Sequence, residues 1–448
     1  MTFSKCLTYL MNVAYSSRRQ EWASLSLVFR EAHIKILKQN NIRKVLNLVR
    51  GRDTFTVAEI SQAIRFSKTT VKKTFDLLMA MSLVVSAGKG ESTEDGGKKP
   101  ELFRFNKGFG YVISLHVTPD SIIAVTTDLA ADITDYKKTK VTKERDLSFI
   151  LGQLVRLIQG FVATKASSAE KLIGIVISLP GLADSSLGVS IYSPHYHSWG
   201  RNVPFRDMLR ERLGEGLDAP IFLDCVNRYQ AIAEQEKGVA IGVTNFIIID
   251  ALYEGLGSGI VTHGELMRGT QSLSGEIGHM TVNPIDGPEC ICGNRGCFEA
   301  MVSARRIREM IRDACGRGVS SPLFKDGMPD TSTLDEVCEL ASAGDPFCLS
   351  LIEDVAKWFI IGLGNIIMVN DPELIVIQGQ YVKAGESFLT RLREGIRRIG
   401  LPDVEKRVRI EYSKMGAERG VIGGAAFVIS EFFAKRLMFA NSPVRSGK

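Results

Sequence analysis

Extremes are absent from this 448-residue sequence, and each absence excludes something. No apolar run reaches the roughly 18 residues needed to span a bilayer, so no membrane partner is expected. Eight cysteines, scattered apart from one cluster, do not make a disulfide framework; a reducing, cytoplasmic setting is expected. A net charge of +6 is small for the length and excludes a chain that is polycationic throughout. A secretory signal is only faintly suggested by the weakly apolar residues 6–15, which Thr8 and Asn12 dilute. Residues 1–32 are therefore read as an N-terminal extension.

The small net charge hides an uneven distribution. Residues 1–107 carry 19 Lys and Arg against 9 Asp and Glu, whereas the remainder carries 37 against 41. A basic head on a slightly acidic body points to a polyanion partner at the N-terminus alone.

Within the head, residues 33–50 place Ile34, Ile36, Leu37, Ile42, Val45, Leu46 and Val49 at near-helical spacing. A new segment starts at Asp53 or Thr54, and Val57, Ile60 and Ala63 give a short helix. After the turn at Arg65, Phe66 and Ser67, Ser67 can cap a second helix over 68–80 whose apolar face is Val71, Phe75, Leu78 and Met79. Ser67, Lys68, Thr69, Thr70, Lys72 and Lys73 cluster at its exposed start. Two helices across a short turn, the second opening with hydroxyl and basic side chains, form a helix-turn-helix whose second helix enters the major groove. Strands at 83–85 and 102–105 flank a glycine-rich tip ending in Lys98 and Lys99, a wing suited to phosphates or the minor groove. Residues 33–107 are thus expected to bind a double-stranded DNA operator.

From residue 108 the pattern becomes α/β. Strands are expected at 111–117, 122–126, 172–179, 246–249, 259–261 and 374–377, with helices at 147–166, 352–367 and 420–433. Two α/β lobes around a cleft, 108–230 and 231–448, follow, with the last helix packing on the first lobe.

The most specific motif lies in the second half. His279, Cys290, Cys292 and Cys297 offer four nitrogen and sulfur ligands spaced His-x10-Cys-x-Cys-x4-Cys, the number that a closed tetrahedral Zn2+ site needs. Gly293 and Gly296 allow the tight turns that bring three thiolates to one ion.

Together with Gly-Glu-Ile-Gly-His at 275–279, Cys-x-Cys-Gly-x-x-Gly-Cys-x-Glu at 290–299 and the glycine-rich 255–266, the chain from about residue 33 resembles the ROK family of repressors, open reading frames and sugar kinases. The resemblance implies an actin-like, sugar kinase-like body of two lobes, a structural zinc and a sugar in the interlobe cleft. Members with a winged helix-turn-helix head are mostly sugar-responsive repressors; members without it are mostly ATP-dependent sugar kinases.

By the same resemblance, Glu276, His279 and Glu299 match sugar-contacting positions, and His195 stands where the family has an asparagine. The catalytic Asn-Asp pair falls on Cys225 and Val226, and valine cannot take a proton; Asp224, two residues before, is the remaining candidate for a shifted base. The phosphate loops align with the stretch from His116 to Asp120, with Tyr253-Glu254-Gly255, and with Gln378-Gly379-Gln380. Pro119 removes a backbone donor and Glu254 would repel phosphate. Trp199 could stack on a sugar or pack the lobe. No catalytic residue is expected. Three readings remain: a sugar-responsive repressor acting as a homodimer or homotetramer, a bifunctional sugar kinase, and a repressor controlled by a protein partner.

Overall fold

The computed structural model describes residues 42, 44–90, 99–141, 146–252, 255–324, 333–401 and 407–439. The chain divides into two compact units, residues 1–110 with 429–448, and residues 111–428. The N-terminal extension and the start of the helix expected over 33–50 lie outside the described residues; residues 44–50 are helical.

In the smaller unit, α1 (Val57–Ile64) is the short helix expected at Val57, Ile60 and Ala63, and it starts where Thr56 and Glu59 form a reciprocal capping box. Arg65 closes it in the left-handed region at φ 55°. Then α2 (Lys68–Ala80) begins where its cap dictates: Ser67 accepts from the Thr70 N–H at 3.1 Å. Strands β1 (Val84–Lys89) and β2 (Glu101–Phe105) pair antiparallel as the wing. Phe55, Phe75 and Phe103 are each no more than 1% exposed. Phe75 meets the other two edge-to-face at 5.3 and 5.0 Å, which fixes α2 against the wing. Phe433, near the end of the last helix, lies 6.3 Å from Phe105.

The larger unit repeats one sheet plan twice. Strands β3 (Gly110–Val117), β4 (Ser121–Thr127), β5 (Ile133–Lys140), β6 (Lys171–Leu179) and, after the short hairpin β7 (Leu182–Asp184) and β8 (Val189–Tyr192), β9 (Ile221–Cys225) form a sheet ordered β5-β4-β3-β6-β9. Strands β10 (Phe246–Leu252), β11 (Gly255–Thr262), β12 (Glu265–Leu266), β13 (Leu374–Gly379) and β14 (Arg409–Tyr412) form a second, ordered β12-β11-β10-β13-β14. In both, one flank is antiparallel and the other carries a parallel pair. Parallel pairs need helical crossovers, so each sheet is covered by helices and has its own apolar core.

Helix α3 (Leu147–Lys165) is long and apolar enough by composition to cross a membrane. Its Ile150, Leu151, Leu154, Leu157, Ile158 and Phe161 are buried in the first-lobe core, so that face has a protein partner. Between the lobes runs α5 (Val226–Lys237), and the last helix, α11 (Arg419–Phe439), starts against the first sheet, where Val421 packs on Ile123 and Val125. Its glycines are required there: a Cβ at Gly423 would fall 1.7 Å from the Tyr229 carbonyl oxygen. The remaining helices bear numbers in chain order: α4 (Phe205–Leu213), α6 (Phe298–Val302), α7 (Ala304–Gly316), α8 (Leu334–Ser342), α9 (Pro346–Asn370) and α10 (Gly385–Ile396).

Candidate functional site: a metal-ligand cluster beside the cleft

The cluster is built by a loop that turns back on itself. Cys290 N–H donates to Asn294 O at 2.8 Å, and Gly296 N–H to Pro288 O at 2.9 Å. Gly296 has φ +68°, and a Cβ there would strike Asn283 O at 1.7 Å, so only glycine fits. The result places one ligand atom each from His279, Cys290, Cys292 and Cys297 within 4.8 Å of one another. Cys290 Sγ lies 3.7 Å from His279 Nδ1, and Cys292 Sγ lies 3.7 Å from Cys297 Sγ. A tetrahedron with metal–sulfur bonds of about 2.3 Å has edges of about 3.8 Å, so the donor set fits a soft or borderline cation. The cluster can hold a metal ion. Burial raises the Cys290 thiol, with the backbone N–H of Cys292 opposing and the Glu299 carboxylate reinforcing the rise.

Glu299 links this cluster to the cleft. Its Oε1 is 3.2 Å from Cys290 Sγ and 3.6 Å from His279 Nδ1, and its Oε2 accepts from the Leu256 N–H at 3.2 Å. Burial raises the Glu276 carboxyl, with His279 and Arg228 opposing. A cavity of about 210 Å³ opens next to the cluster, lined by His195, Tyr192, Cys290 and Glu299. Glu276 and His279 do not line it. Trp199 is not available to a ligand: it is 6% exposed, stacked on Tyr196 at 4.3 Å and packed in the first-lobe core.

The positions that a sugar kinase would use are filled otherwise. Cys225 and Val226, at the β9–α5 junction, are buried. Burial, then the Asp224 charge, pushes the Cys225 thiol up to about 12, so it stays protonated. Asp224 is fully buried and both its oxygens are engaged, Oδ1 by Arg228 Nη1 at 2.7 Å and Oδ2 by Arg268 Nε at 2.9 Å. Sequence reasoning missed Arg228 altogether. Its guanidinium, 1% exposed, also donates to Ala183 O at 3.3 Å and to the carbonyls of Ser272 and Ser274. It joins the first lobe to the loop that leads into Glu276.

Where phosphate donors would gather, the first loop folds on itself: Thr118 Oγ1 donates to Asp120 Oδ1 at 2.8 Å, and Tyr196 donates its hydroxyl to Thr118 O at 2.6 Å. At the third loop, Gln378 is 1% exposed and donates to Gln230, while Asp250 faces Asn227 at 3.5 Å and Arg419 at 3.4 Å. Tyr253 and Glu254 of the second loop lie outside the described residues.

The structure places the DNA-contact candidates on the smaller unit. Lys68, Thr69, Lys72 and Lys73 are exposed along the first turns of α2, and Lys99 is exposed on the wing. Ser67 and Thr70 are occupied in the cap, their hydroxyls 2.8 Å apart. Lys72 pairs with Asp76 at 3.1 Å and approaches Glu101 at 4.0 Å. Lys98 lies outside the described residues.

Comparison with known proteins agrees with this arrangement. The ROK family profile matches residues 117–431. The xylose repressor of Caldicellulosiruptor bescii is 28% identical over 401 residues, covering 89% of this chain and 98% of that one. The glucokinase of Halalkalibacterium halodurans is 30% identical over 301 residues, covering 67% of this chain and 89% of that one. A crystal structure of a ROK family transcriptional regulator, a homologue of the E. coli MLC protein, superposes with a TM-score of 0.75 at 24% identity, covering 90% of this chain and 98% of that one. The chain belongs to the ROK family.

Proposed function

We propose that the protein is a sequence-specific DNA-binding transcriptional repressor of carbohydrate-metabolism genes, controlled by a sugar in the interlobe cleft and no longer able to transfer phosphate. One observation carries this reading. An exposed basic helix in a winged helix-turn-helix precedes a sugar-kinase body whose base position holds a buried cysteine and a valine. General-base chemistry needs a group that can accept the hydroxyl proton, and neither side chain can. Asp224 is held between two guanidiniums and has no oxygen left uncommitted.

The parts then take these roles. Residues 33–107 form the head, with Lys68, Thr69 and Lys73 meeting DNA, Lys72, Lys98 and Lys99 adding charge, and Ser67 and Thr70 holding the helix start. Residues 108–230 and 231–448 form the lobes. Glu299 and His195, which line the cavity, meet the sugar there, and Glu276 and His279, outside that lining, are the further contacts the family resemblance implies. Zinc is the ion that suits three thiolates and an imidazole; His279, Cys290, Cys292 and Cys297 would hold it. When bound it fixes the loop and with it the orientation of Glu299. Lobe closure on a sugar would change the spacing of two heads in a dimer, and half-sites about one helical turn apart would register the change. The free cysteines suit the reducing cytoplasm. The likeness to the xylose repressor, which extends over 89% of this chain, supports the repressor reading.

The test is fluorescence anisotropy of the full-length protein on its own upstream DNA, titrated with a sugar panel that starts with xylose. Specific binding reversed by one sugar is expected. Specific binding indifferent to every sugar would transfer control to a protein partner. The glucokinase likeness favours a kinase as second reading, and ADP release with any sugar in a coupled assay would establish it.

A further inference from the structure

The cavity beside the metal-ligand cluster carries charge that a neutral sugar does not use. Its lining includes Arg305, Arg306 and Glu309 from the start of α7, Glu299 from α6, and Tyr192 and His195 from the first lobe. The two guanidiniums share a single carboxylate. Arg305 Nε is 3.1 Å from one oxygen of Glu309, and Arg306 Nη1 is 3.6 Å from the other. Among the described residues neither arginine has another acidic partner, and the Arg306 Nε is buried with no hydrogen-bond acceptor.

The other two carboxylates of the lining do not serve these arginines. Glu299 is turned to Leu256 N–H and the cysteine cluster. Glu289 is 83% exposed and pairs with Arg295 at 3.3 Å. The α7 side of the lining therefore bears one positive charge more than Glu309 matches. A hydroxyl does not match that charge; an oxyanion does, and a planar guanidinium is the group suited to hold it.

We propose that the effector is a sugar bearing an anionic group, a carboxylate or a phosphate, which Arg305 and Arg306 bind while the ring reaches Glu299 and His195. This inference rests on the sugar-sensor reading and narrows its ligand class.

The experiment is titration calorimetry on the full-length protein with matched sets: neutral aldoses, their uronates and their phosphates, with inorganic phosphate as the reference anion. Arg305→Gln and Arg306→Gln are tested alongside. At least one anionic sugar is expected to bind tenfold or more tightly than its neutral parent, and either variant should remove that preference while leaving the neutral sugar's affinity in place. The uronate and phosphate arms identify which oxyanion is used. A neutral parent that binds as tightly as both derivatives would overturn the inference and leave the sugar sensor standing. A preference retained in both variants would overturn the arginine assignment, as would inorganic phosphate binding as tightly as any sugar. Binding by no sugar, neutral or charged, would bring down the sensor reading and this inference with it.

Discussion

Asp224 and Arg228, one turn apart across the β9–α5 junction, form an ion pair at 2.7 Å with side chains 0% and 1% exposed. Arg268 joins from the loop after β12, at 2.9 Å from the other oxygen. Such a group is stabilising only as a set, since each charge was removed from water and is matched by the others. Asp224→Asn leaves two buried or half-buried guanidiniums without a counter-charge. The expected loss of stability is about 3–5 kcal/mol, measured by urea unfolding. A loss below about 1 kcal/mol would show that solvent reaches the cluster and that it does not brace the lobes.

Metal content gives an independent measure of the cysteine loop. Elemental analysis should find one zinc per chain, and Cys297→Ser, at a position 0% exposed, should lose it. Because the ligands converge only in the folded loop, binding free energy becomes folding free energy, and chelation should lower the melting temperature of the wild type. A metal-free protein that melts where the loaded one does would remove the structural role.

These elements differ in how far local sequence specifies them. The start of α2 is legible because Ser67 caps it through a bond three residues away, and the same locality made the four-ligand spacing readable. Helix α9 runs from Pro346 to Asn370, well beyond the expected 352–367, because it is apolar on nearly all sides and its period fades toward the ends. Trp199 could not be assigned from its neighbours, since its stacking on Tyr196 and its contact with Phe205 decide the matter. Arg228 was invisible for a stronger reason. Its partners Ala183 and Ser272 lie 45 and 44 residues away in opposite directions, and nothing in the local pattern of α5 distinguishes a buried hub from a solvated arginine.

Acid sensitivity should have a component at His116. Burial, then the Arg419 guanidinium, pushes its imidazole down to about 4 from an ordinary 6.5. Between those values the unfolded chain binds a proton that the folded one refuses, so this contribution is complete above pH 6.5 and is lost progressively as pH falls toward 4. His116→Gln should flatten that part of the stability profile. An unchanged slope between pH 6.5 and 4 would assign the acid loss to other groups.

The basic residues of α2 should not be equivalent on DNA. Lys72 already has Asp76 at 3.1 Å, Glu101 at 4.0 Å and the Phe103 ring at 5.3 Å, so moving to a phosphate means giving up those contacts. Lys73 is exposed and has no ion-pair partner among the described residues. Each phosphate contact releases condensed counterions, and the logarithm of affinity falls with the logarithm of salt by about 0.9 per contact. Lys73→Ala should therefore reduce the salt slope by about one, with little change in discrimination between operator and random DNA. Lys72→Ala should reduce it less. The reverse order would mean that Lys72 swings away from Asp76 on binding. Loss of discrimination at an unchanged slope would place Lys73 against a base edge.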